Sequence, residues 1–171
     1  MVRKEIEFFE IIASLYRETK GNGILMTTID QDGKPNIMTL GWGLFGYCYH
    51  GHPVVVVAVR PSCYSFKLLD VVSEYVVSVP TREIAKAVAF CGTQSGRDYD
   101  KFKETGLTPV PSFKIKPPSI KECYINVECS IYHKQRPPHH ILTPEHREKP
   151  VEQQHTIYFA EVLGTYIAKF V

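Results

Sequence analysis

The run PVVVVAV at residues 53–59 limits most strongly how this chain folds. It is short and almost wholly apolar, and it shows no alternation between apolar and polar residues. Such a run predicts a strand that is buried on both of its faces. The fold must therefore place other parts of the chain on either side of this strand.

Four other segments have the character of β-strands. Residues 24–42 predict a hairpin, because two β-type segments flank Asp32-Gly33, a dipeptide that adopts positive φ at low cost. Residues 74–80 predict a further strand, and residues 155–171 predict a final strand or strand pair. Residues 121–134 alternate, with one face formed by Cys123, Ile125, Val127, Cys129 and Ile131 and the other by Asn126, Glu128 and Ser130.

The remaining segments predict helices and irregular connections. Prolines in residues 105–120 exclude a central strand there, and residues 136–154 form a long polar excursion. Helical spacing of apolar residues and capping residues indicate the helices. Helices are predicted at 4–18, at 63–72 with Ser62 as N-cap, from Thr81 to about Phe90, and briefly after Gly96.

Strands dominate this pattern, and the helices do not follow the regular β-α-β-α order of a parallel sheet. The sequence therefore predicts a mainly β fold, a closed antiparallel β-barrel with peripheral helices. Closure removes the exposed edges that many apolar strands would otherwise leave in a small chain. We find no internal repeat and no linker, and we expect one domain over residues 1–171.

Composition and charge exclude several classes of protein. The chain is 44% hydrophobic and 22% charged, which is typical of a soluble globular protein. Its net charge of +2 comes with scattered basic residues, so we expect no nucleic-acid partner. No apolar run approaches the ~20 residues of a membrane span. The N-terminus is amphipathic and unlike a signal peptide, so we expect a cytoplasmic protein with no membrane partner.

The cysteines and histidines do not predict a metal site. The five cysteines are odd in number and lack C-x-x-C spacing, so we interpret them as small buried hydrophobic residues. His50 and His52 have strand spacing onto one face, but no third ligand accompanies them. We therefore expect no bound metal.

The segment RPSCYSF at residues 60–66 is the first candidate site. Arg60 offers a planar fork of donors that matches a phosphate, and Ser62, Tyr64 and Ser65 add hydroxyl groups. The N–H groups at the start of the following helix are also suited to an anion. The alternative is a surface arginine beside a capped helix. P-loop and Rossmann glycine motifs are absent from the sequence.

Two further segments are candidates for ligand contact. Glycines alternate with aromatic residues over 36–53, where the exposed backbone could hydrogen-bond the edge of a flat heterocycle. A barrel corner with aromatic packing explains that pattern equally. Ser95, Arg97 and Lys101 form a second candidate anion contact, for which a solvated, capped helix start is the alternative. His155 precedes the last strand and is either a site residue or structural.

Taken together, these segments resemble the flavin reductase-like, FMN-binding split-barrel family, and within it the flavoredoxin-like branch. The resemblance covers nearly the whole chain, and its parts occur in the family's order. The matching stretches are TTIDQDGKPNIMTLGW, PVVVVAVRPSCYSFKLL, EYVVSVPT, CGTQSGRDYDKFKETGLTPVP, ECYINVECSI and HTIYFAEVLG.

This resemblance implies a split β-barrel that forms a homodimer and holds FMN near the dimer interface. Carried over onto this sequence, it assigns three groups of residues to the flavin. The phosphate contacts are Arg60, Ser62, Tyr64 and Ser65; the residues along the isoalloxazine are Met38, Thr39, Leu40, Gly41 and Trp42; Ser95 and Lys101 also approach the flavin.

The chain departs from the family pattern before its last strand. Many flavin reductases carry G-D-H there, with the histidine facing the flavin and nicotinamide site. Here His155 is retained, but Gln153 and Gln154 replace the Gly and Asp, and Ala160 replaces a later Gly. These changes argue against direct use of NAD(P)H more than they argue against the binding of FMN. We assign His155 to the face that meets the nicotinamide or the acceptor.

Three functions are consistent with this sequence. The first is a flavin reductase-like oxidoreductase that passes hydride or electrons from NAD(P)H through FMN to free flavin or another acceptor. The second is a flavoredoxin-type carrier, with tightly bound FMN and a redox partner protein. The third is a binding module or sensor that keeps the barrel without redox chemistry.

Overall fold

The structure, a computed structural model, describes residues 2–48, 51–140 and 150–169. Short 3-10 turns accompany its helices and strands at Phe8–Ile11, Arg82–Ile84 and Val151–Gln153. The described α-helices are α1 Ile12–Lys20, α2 Tyr64–Val71, α3 Ala85–Thr93 and α4 Lys101–Thr105. The described strands are β1 Val2–Glu5, β2 Ile24–Ile29, β3 Pro35–Leu40, β4 Gly43–Cys48, β5 His52–Val59, β6 Glu74–Pro80, β7 Pro109–Val110, β8 Ser119–Ile120, β9 Cys123–Gln135 and β10 Thr156–Lys169.

The main sheet is antiparallel throughout and has the strand order β3-β2-β6-β9-β10-β5-β4. Helix α1 contacts β4 at one end of this order and also β2 and β6 towards the other end. It therefore spans the gap between the two ends, and the barrel is split. The prediction of a mainly β, antiparallel split barrel with peripheral helices is confirmed. The full closure that the strand pattern alone suggests is not seen, because the described strands β3 and β4 at the two ends of the sheet do not pair with each other.

Strand β5 is buried on both faces, as its apolar sequence predicts. Val55, Val57 and Val59 point into the main core, which also contains Leu15 of α1 and Tyr158 of β10. Val54, Val56 and Ala58 of β5 face the other side of the sheet, yet they are also no more than 8% exposed. The outer face of this part of the sheet is therefore apolar.

Strand β9 also has two buried faces, although its outer face is polar. Glu128 is fully buried, and its carboxylate oxygens accept hydrogen bonds from the backbone N–H groups of Phe113 and Lys114 at 2.8 and 2.7 Å. Asn126 accepts from the Ile120 N–H at 3.0 Å and bonds the hydroxyl of Ser78 at 2.7 Å. The proline-rich connection thus lies across the sheet and satisfies these groups.

A second, smaller core packs behind β2 and β3. Helix α3 contributes Val88 and Cys91, and α4 contributes Phe102. Cys123 lies in this cluster and not with Ile125, because the pairing of β6 with β9 shifts register between Cys123 and Ile125. The alternation predicted for residues 123–131 is therefore wrong at its first position. This core fixes α3 and α4 against the sheet.

The N-terminal helix is shorter than predicted. Residues 2–5 form β1, which pairs with residues 166–169 of β10. These residues form a strand because β5 pairs with only residues 156–161 of β10. The rest of that edge of β10 is therefore open to another strand.

The predicted helix caps also differ from the structure. Ser62 is not the N-cap of α2, since Cys63 holds that position and makes no side-chain cap. Thr81 precedes the 3-10 turn without capping it through its side chain. Part of the predicted polar excursion, residues 141–149, and His50 lie outside the described residues.

Candidate functional site

One cleft of about 180 Å³ lies where strand β3, the loop into α2, and the segment from α3 to α4 meet. These three parts of the chain are distant in sequence. The second core holds β3 against α3 and α4, and a hydrogen bond between Asn36 and Ser65 joins the start of α2 to β3. The cleft gathers eight of the residues that the sequence analysis selects for ligand contact: Met38, Thr39, Ser62, Tyr64, Ser65, Ser95, Arg97 and Lys101.

The start of helix α2 forms one wall of this cleft. Cys63, Tyr64 and Ser65 all line it, and the first N–H groups of a helix lack acceptors within the helix. The partial positive charge at a helix N-terminus favours an anion in this position. The segment Ser62–Ser65 therefore presents donors of both backbone and side-chain type.

Asn36 lines the cleft and fixes two of its walls, although the sequence analysis did not select it. Its Nδ2 donates to the hydroxyl oxygen of Ser65 at 2.8 Å, and both side chains are buried. A Cβ built on Gly96 would lie only 1.9 Å from Asn36 Oδ1, so the loop approaches Asn36 more closely than any side chain permits. A single asparagine in a strand belongs to no sequence pattern that would mark it as a site residue. Gly96, by contrast, lies in a turn that the sequence makes recognisable.

Lys101 places a buried positive charge at the cleft. Its side chain is 5% exposed, and its Nζ donates to the carbonyl oxygen of Cys91 at 2.9 Å. Burial lowers the pKa of Lys101, and the neighbouring thiols of Cys91 and Cys63 oppose that shift. A buried ammonium held by a neutral carbonyl and thiols is suited to an anionic ligand.

Arg97 lies at the exposed side of the same cleft. Its Nη1 donates to the carbonyl oxygen of Ser62 at 2.9 Å, and its guanidinium lies 5.7 Å from the centre of the Tyr64 ring. The backbone N–H of Arg97 donates to the Ser95 hydroxyl at 3.2 Å. Arg97 therefore connects the loop after α3 to the loop before α2.

Helix α3 is held to β3 by Thr39. The Thr39 hydroxyl donates to the carbonyl oxygen of Val88 at 2.6 Å. A Cβ on Gly92 would lie 3.2 Å from Thr39 Cβ, so the helix end and the strand are in close contact. The Thr39 hydroxyl thus stabilises the wall of the cleft by joining β3 to α3.

The other predicted site residues lie apart from this cleft. Arg60 is exposed and is not part of the cleft lining. Leu40 is buried in the main core, at 2% exposure. Gly41 and Trp42 line a different cleft of about 290 Å³, beside Tyr16 and Lys20.

His155 lies at the start of β10, half-buried. Its carbonyl oxygen is 2.7 Å from the Nε2 of His139. The contact joins the last strand to the loop that follows β9. His155 is not among the residues that line the 180 Å³ cleft.

The structure describes the side chains of four cysteines, Cys63, Cys91, Cys123 and Cys129; all four are free thiols, and all but Cys63 are buried. Burial raises the pKa of Cys91 to about 11, and it also raises the pKa values of Cys123 and Cys129 well above that of an ordinary thiol. Within residues 2–48, 51–140 and 150–169, no three His, Cys, Asp or Glu side chains come together as metal ligands. None of the described helices has the length and apolar character to cross a membrane.

The chain belongs to the flavin reductase like domain family, whose pattern matches residues 16–169. An uncharacterised protein of Archaeoglobus fulgidus is 41% identical over 98 residues, which are 57% of this chain and 54% of that protein. The chain thus spans about half the length of this relative.

Solved structures share the fold. Flavoredoxin of Desulfovibrio vulgaris (Miyazaki F) matches with a TM-score of 0.70 and 25% identity, over 86% of this chain and 69% of that one. An FMN-binding domain of a flavin reductase-like enzyme from Shewanella baltica matches with a TM-score of 0.68 and 17% identity, over 97% and 77% of the two chains. The likeness to the Shewanella structure shows the fold alone.

Proposed function

We propose that this chain binds FMN and acts as a flavin reductase-like oxidoreductase. The buried ammonium of Lys101 in the cleft is the observation that carries the proposal. It is held by the carbonyl of Cys91, no carboxylate of the described residues forms an ion pair with it, and an anionic ligand would therefore compensate its charge. The hydroxyls and helix N–H groups of Ser62–Ser65 supply a donor set that fits a phosphate ester. Family membership supports a flavin as the ligand.

The cleft is suited to only part of the cofactor. Sites for drug-sized ligands usually measure about 300–1,000 Å³, whereas this one measures about 180 Å³. It fits the phosphate end, and the ring would then extend along β3 towards Met38–Trp42. Bound flavin supplies the hydride and electron chemistry.

In this proposal the residues of the chain bind and orient the cofactor. Backbone N–H groups near residues 40–42 stabilise negative charge on the ring system. Ser62, Ser65 and Lys101 hold the phosphate end, and Arg60 contributes a longer-range positive charge. His155 lines the approach of a nicotinamide or another acceptor. None of these residues needs to exchange a proton during hydride transfer.

A homodimer is part of the proposal. The outer face of β4, β5 and β10 carries a shallow apolar groove, in which Leu44, at 62% exposure, lies beside Val54, Val56 and Phe159. The contact between His52 and Glu161 lies on the same face. A second copy of the chain would cover this face and complete the surroundings of the ring. We expect Leu44→Lys to convert a dimer into a monomer in sedimentation velocity, and an unchanged dimer would contradict this interface.

An electron carrier is the second candidate function. It is favoured by Gln153 and Gln154, which replace the Gly-Asp pair of flavin reductases before His155. The structural likeness to a flavoredoxin at 25% identity supports it as well. In this case FMN is bound tightly and a partner protein, not NAD(P)H, reduces it.

A visible absorption spectrum of the purified chain with FMN, followed by anaerobic NADH and NADPH, tests these functions. A bound-flavin spectrum that bleaches with a nicotinamide, with continued oxidation of NAD(P)H when free FMN is supplied, supports the reductase. A bound flavin that stays oxidised supports the carrier. Failure to bind any flavin would contradict both and favour a binding module without redox chemistry.

A further inference from the structure

Arg97 connects the two loops that form the exposed end of the cleft. Its Nη1 bonds the carbonyl oxygen of Ser62 at 2.9 Å, and its guanidinium lies against the face of Tyr64. Both partners belong to the segment that starts helix α2, while Arg97 itself follows the close contact of Gly96 with Asn36. The side chain is thus held across the end of the cleft from one wall to the other.

The two cations of the cleft differ in position. Lys101 is buried, whereas Arg97 is exposed, so they mark the inner and outer ends of the site. Arg97 has further N–H donors besides the one used on Ser62, because a guanidinium carries five. It can therefore hold its bridge and contact a phosphate beneath it at the same time.

We infer that Arg97 determines specificity for a flavin with a terminal phosphate, and that it does so by closing the cleft behind that phosphate. The inference rests on the proposed function, and it names the class of flavin that the site accepts. A monoester such as FMN ends inside the bridge. A diphosphate such as FAD would have to continue past it and displace the contact between Arg97 and Ser62.

Arg97 and Arg60 should affect flavin binding in different ways. Arg60 is exposed outside the cleft lining, so its charge acts on any flavin phosphate equally. Arg97 both attracts the phosphate and obstructs its extension. Loss of Arg97 should weaken FMN binding and remove an obstacle to FAD, which changes the ratio of the two affinities.

The test measures dissociation constants for FMN and FAD by quenching of flavin fluorescence at fixed ionic strength. The variants are wild type, Arg97→Ala, Arg60→Ala, and Arg82→Ala as an exposed arginine outside the cleft. Arg97→Gln, which keeps much of the length of the side chain, replaces Arg97→Ala if that variant does not fold by circular dichroism. Binding is the readout, so turnover is not needed.

We expect wild type to prefer FMN over FAD by about tenfold or more, which is within reach of one strong charge-assisted contact. In Arg97→Ala the preference should fall to about threefold or less. Arg60→Ala should weaken both flavins by a similar factor, and Arg82→Ala should change neither.

Three results would overturn the inference while leaving the proposed function intact. One is a wild type that binds FMN and FAD equally. Another is an Arg97→Ala variant that loses affinity for both flavins in proportion. The third is an altered ratio in Arg60→Ala with an unaltered ratio in Arg97→Ala. Failure of wild type to bind either flavin would instead contradict the proposed function, and the inference with it.

Discussion

The Nζ of Lys101 donates to the carbonyl oxygen of Cys91 at 2.9 Å, and this contact holds a nearly buried ammonium at the inner end of the cleft. The carbonyl belongs to α3 and the ammonium to α4, so the hydrogen bond also joins the two helices. A buried charge that is held by a neutral acceptor costs stability in the free protein. The same charge becomes favourable when an anion enters the cleft.

Replacement of this ammonium should separate stability from binding. We expect Lys101→Met to leave the free energy of unfolding of the flavin-free protein unchanged, or to raise it by about 1–2 kcal/mol, since an apolar side chain of similar length removes the burial cost. Affinity for FMN should fall by about tenfold or more, because a charge-assisted contact is lost. Urea unfolding and flavin titration measure the two effects.

The matched control is Lys103→Met, on the same helix but exposed. It should alter neither quantity appreciably. A Lys101→Met variant that binds FMN as tightly as wild type would contradict the assignment of Lys101 to the ligand.

The pH dependence of stability follows from the same residue. Burial lowers the pKa of Lys101 below its usual 10.5, so the unfolded chain keeps this proton to a higher pH than the folded protein does. Between the two pKa values the unfolded state binds more protons, and stability therefore rises with pH. Below the folded pKa both states are charged and the burial cost is fully present.

We therefore expect any stability advantage of Lys101→Met over flavin-free wild type to shrink as the pH approaches about 10.5. Urea midpoints of both proteins at neutral and alkaline pH measure this. If the stability advantage of Lys101→Met instead grew with pH, the free-energy cost would not come from burial of the Lys101 ammonium.

Gly96 should not tolerate a side chain. A Cβ there would meet Asn36 Oδ1 at 1.9 Å and the Tyr64 ring at 2.8 Å, and both neighbours belong to the cleft. We expect Gly96→Ala to lower the free energy of unfolding by about 1–3 kcal/mol through overpacking, and to reduce FMN affinity. Gly46→Ala is the control, because a Cβ at Gly46 meets nothing within 4 Å in its own chain. Gly46 lines the groove of the proposed dimer face, so the two variants are compared in the monomeric Leu44→Lys background. Equal stability of the two variants would contradict the close contact.

Glu128 should be essential for the stability of the connection that covers the sheet. Its carboxylate accepts two backbone hydrogen bonds while fully buried, so Glu128→Ala leaves two N–H groups without their acceptor. We expect a loss of about 2–4 kcal/mol in the free energy of unfolding. Glu122→Ala, which removes one exposed hydrogen bond from the Thr108 N–H, should cost less than about 1 kcal/mol. A similar loss in both would argue against this role of Glu128.

His155→Ala separates reduction from binding. If His155 lines the approach to the flavin, the variant should bind FMN as wild type does and be reduced more slowly by NAD(P)H, as stopped-flow absorbance would show. His133→Ala is the control. His133 lies on β9, and its ring packs on Phe159 of β10, the strand that begins directly after His155. Unchanged reduction in His155→Ala would assign His155 to a structural role.

The strands of this fold are predictable from the sequence because their apolar runs are long and their turns explicit. Asp32-Gly33 connects β2 to β3 as expected, with Gly33 at a φ of 82°. Strand β1 is not predictable in this way. Its four residues pair with an edge that exists only because β10 is long, and sequence spacing carries no information about that partner.

The candidate site is predictable in part for the same reason. Ser62–Ser65 and Lys101 belong to recognisable helix starts, and the structure brings them into one cleft. Asn36 reaches the cleft through a contact between distant segments, which a single sequence does not reveal. Arg60 lies just before α2 and Trp42 just after β3, the two elements that line the cleft, but both side chains lie outside it. The direction of a side chain at a strand end depends on the packing around that end, which the sequence does not specify.

With the proposed flavin bound, the three-part construction of the cleft would link cofactor supply to the lifetime of the protein. A ligand that touches β3, the start of α2 and the α3–α4 segment braces stretches that the backbone does not connect directly. At a concentration a hundredfold above its dissociation constant, such a ligand adds about 2.7 kcal/mol to the free energy of unfolding. Cells starved of flavin would then hold a looser form of this chain, which proteases cleave more readily than the loaded one.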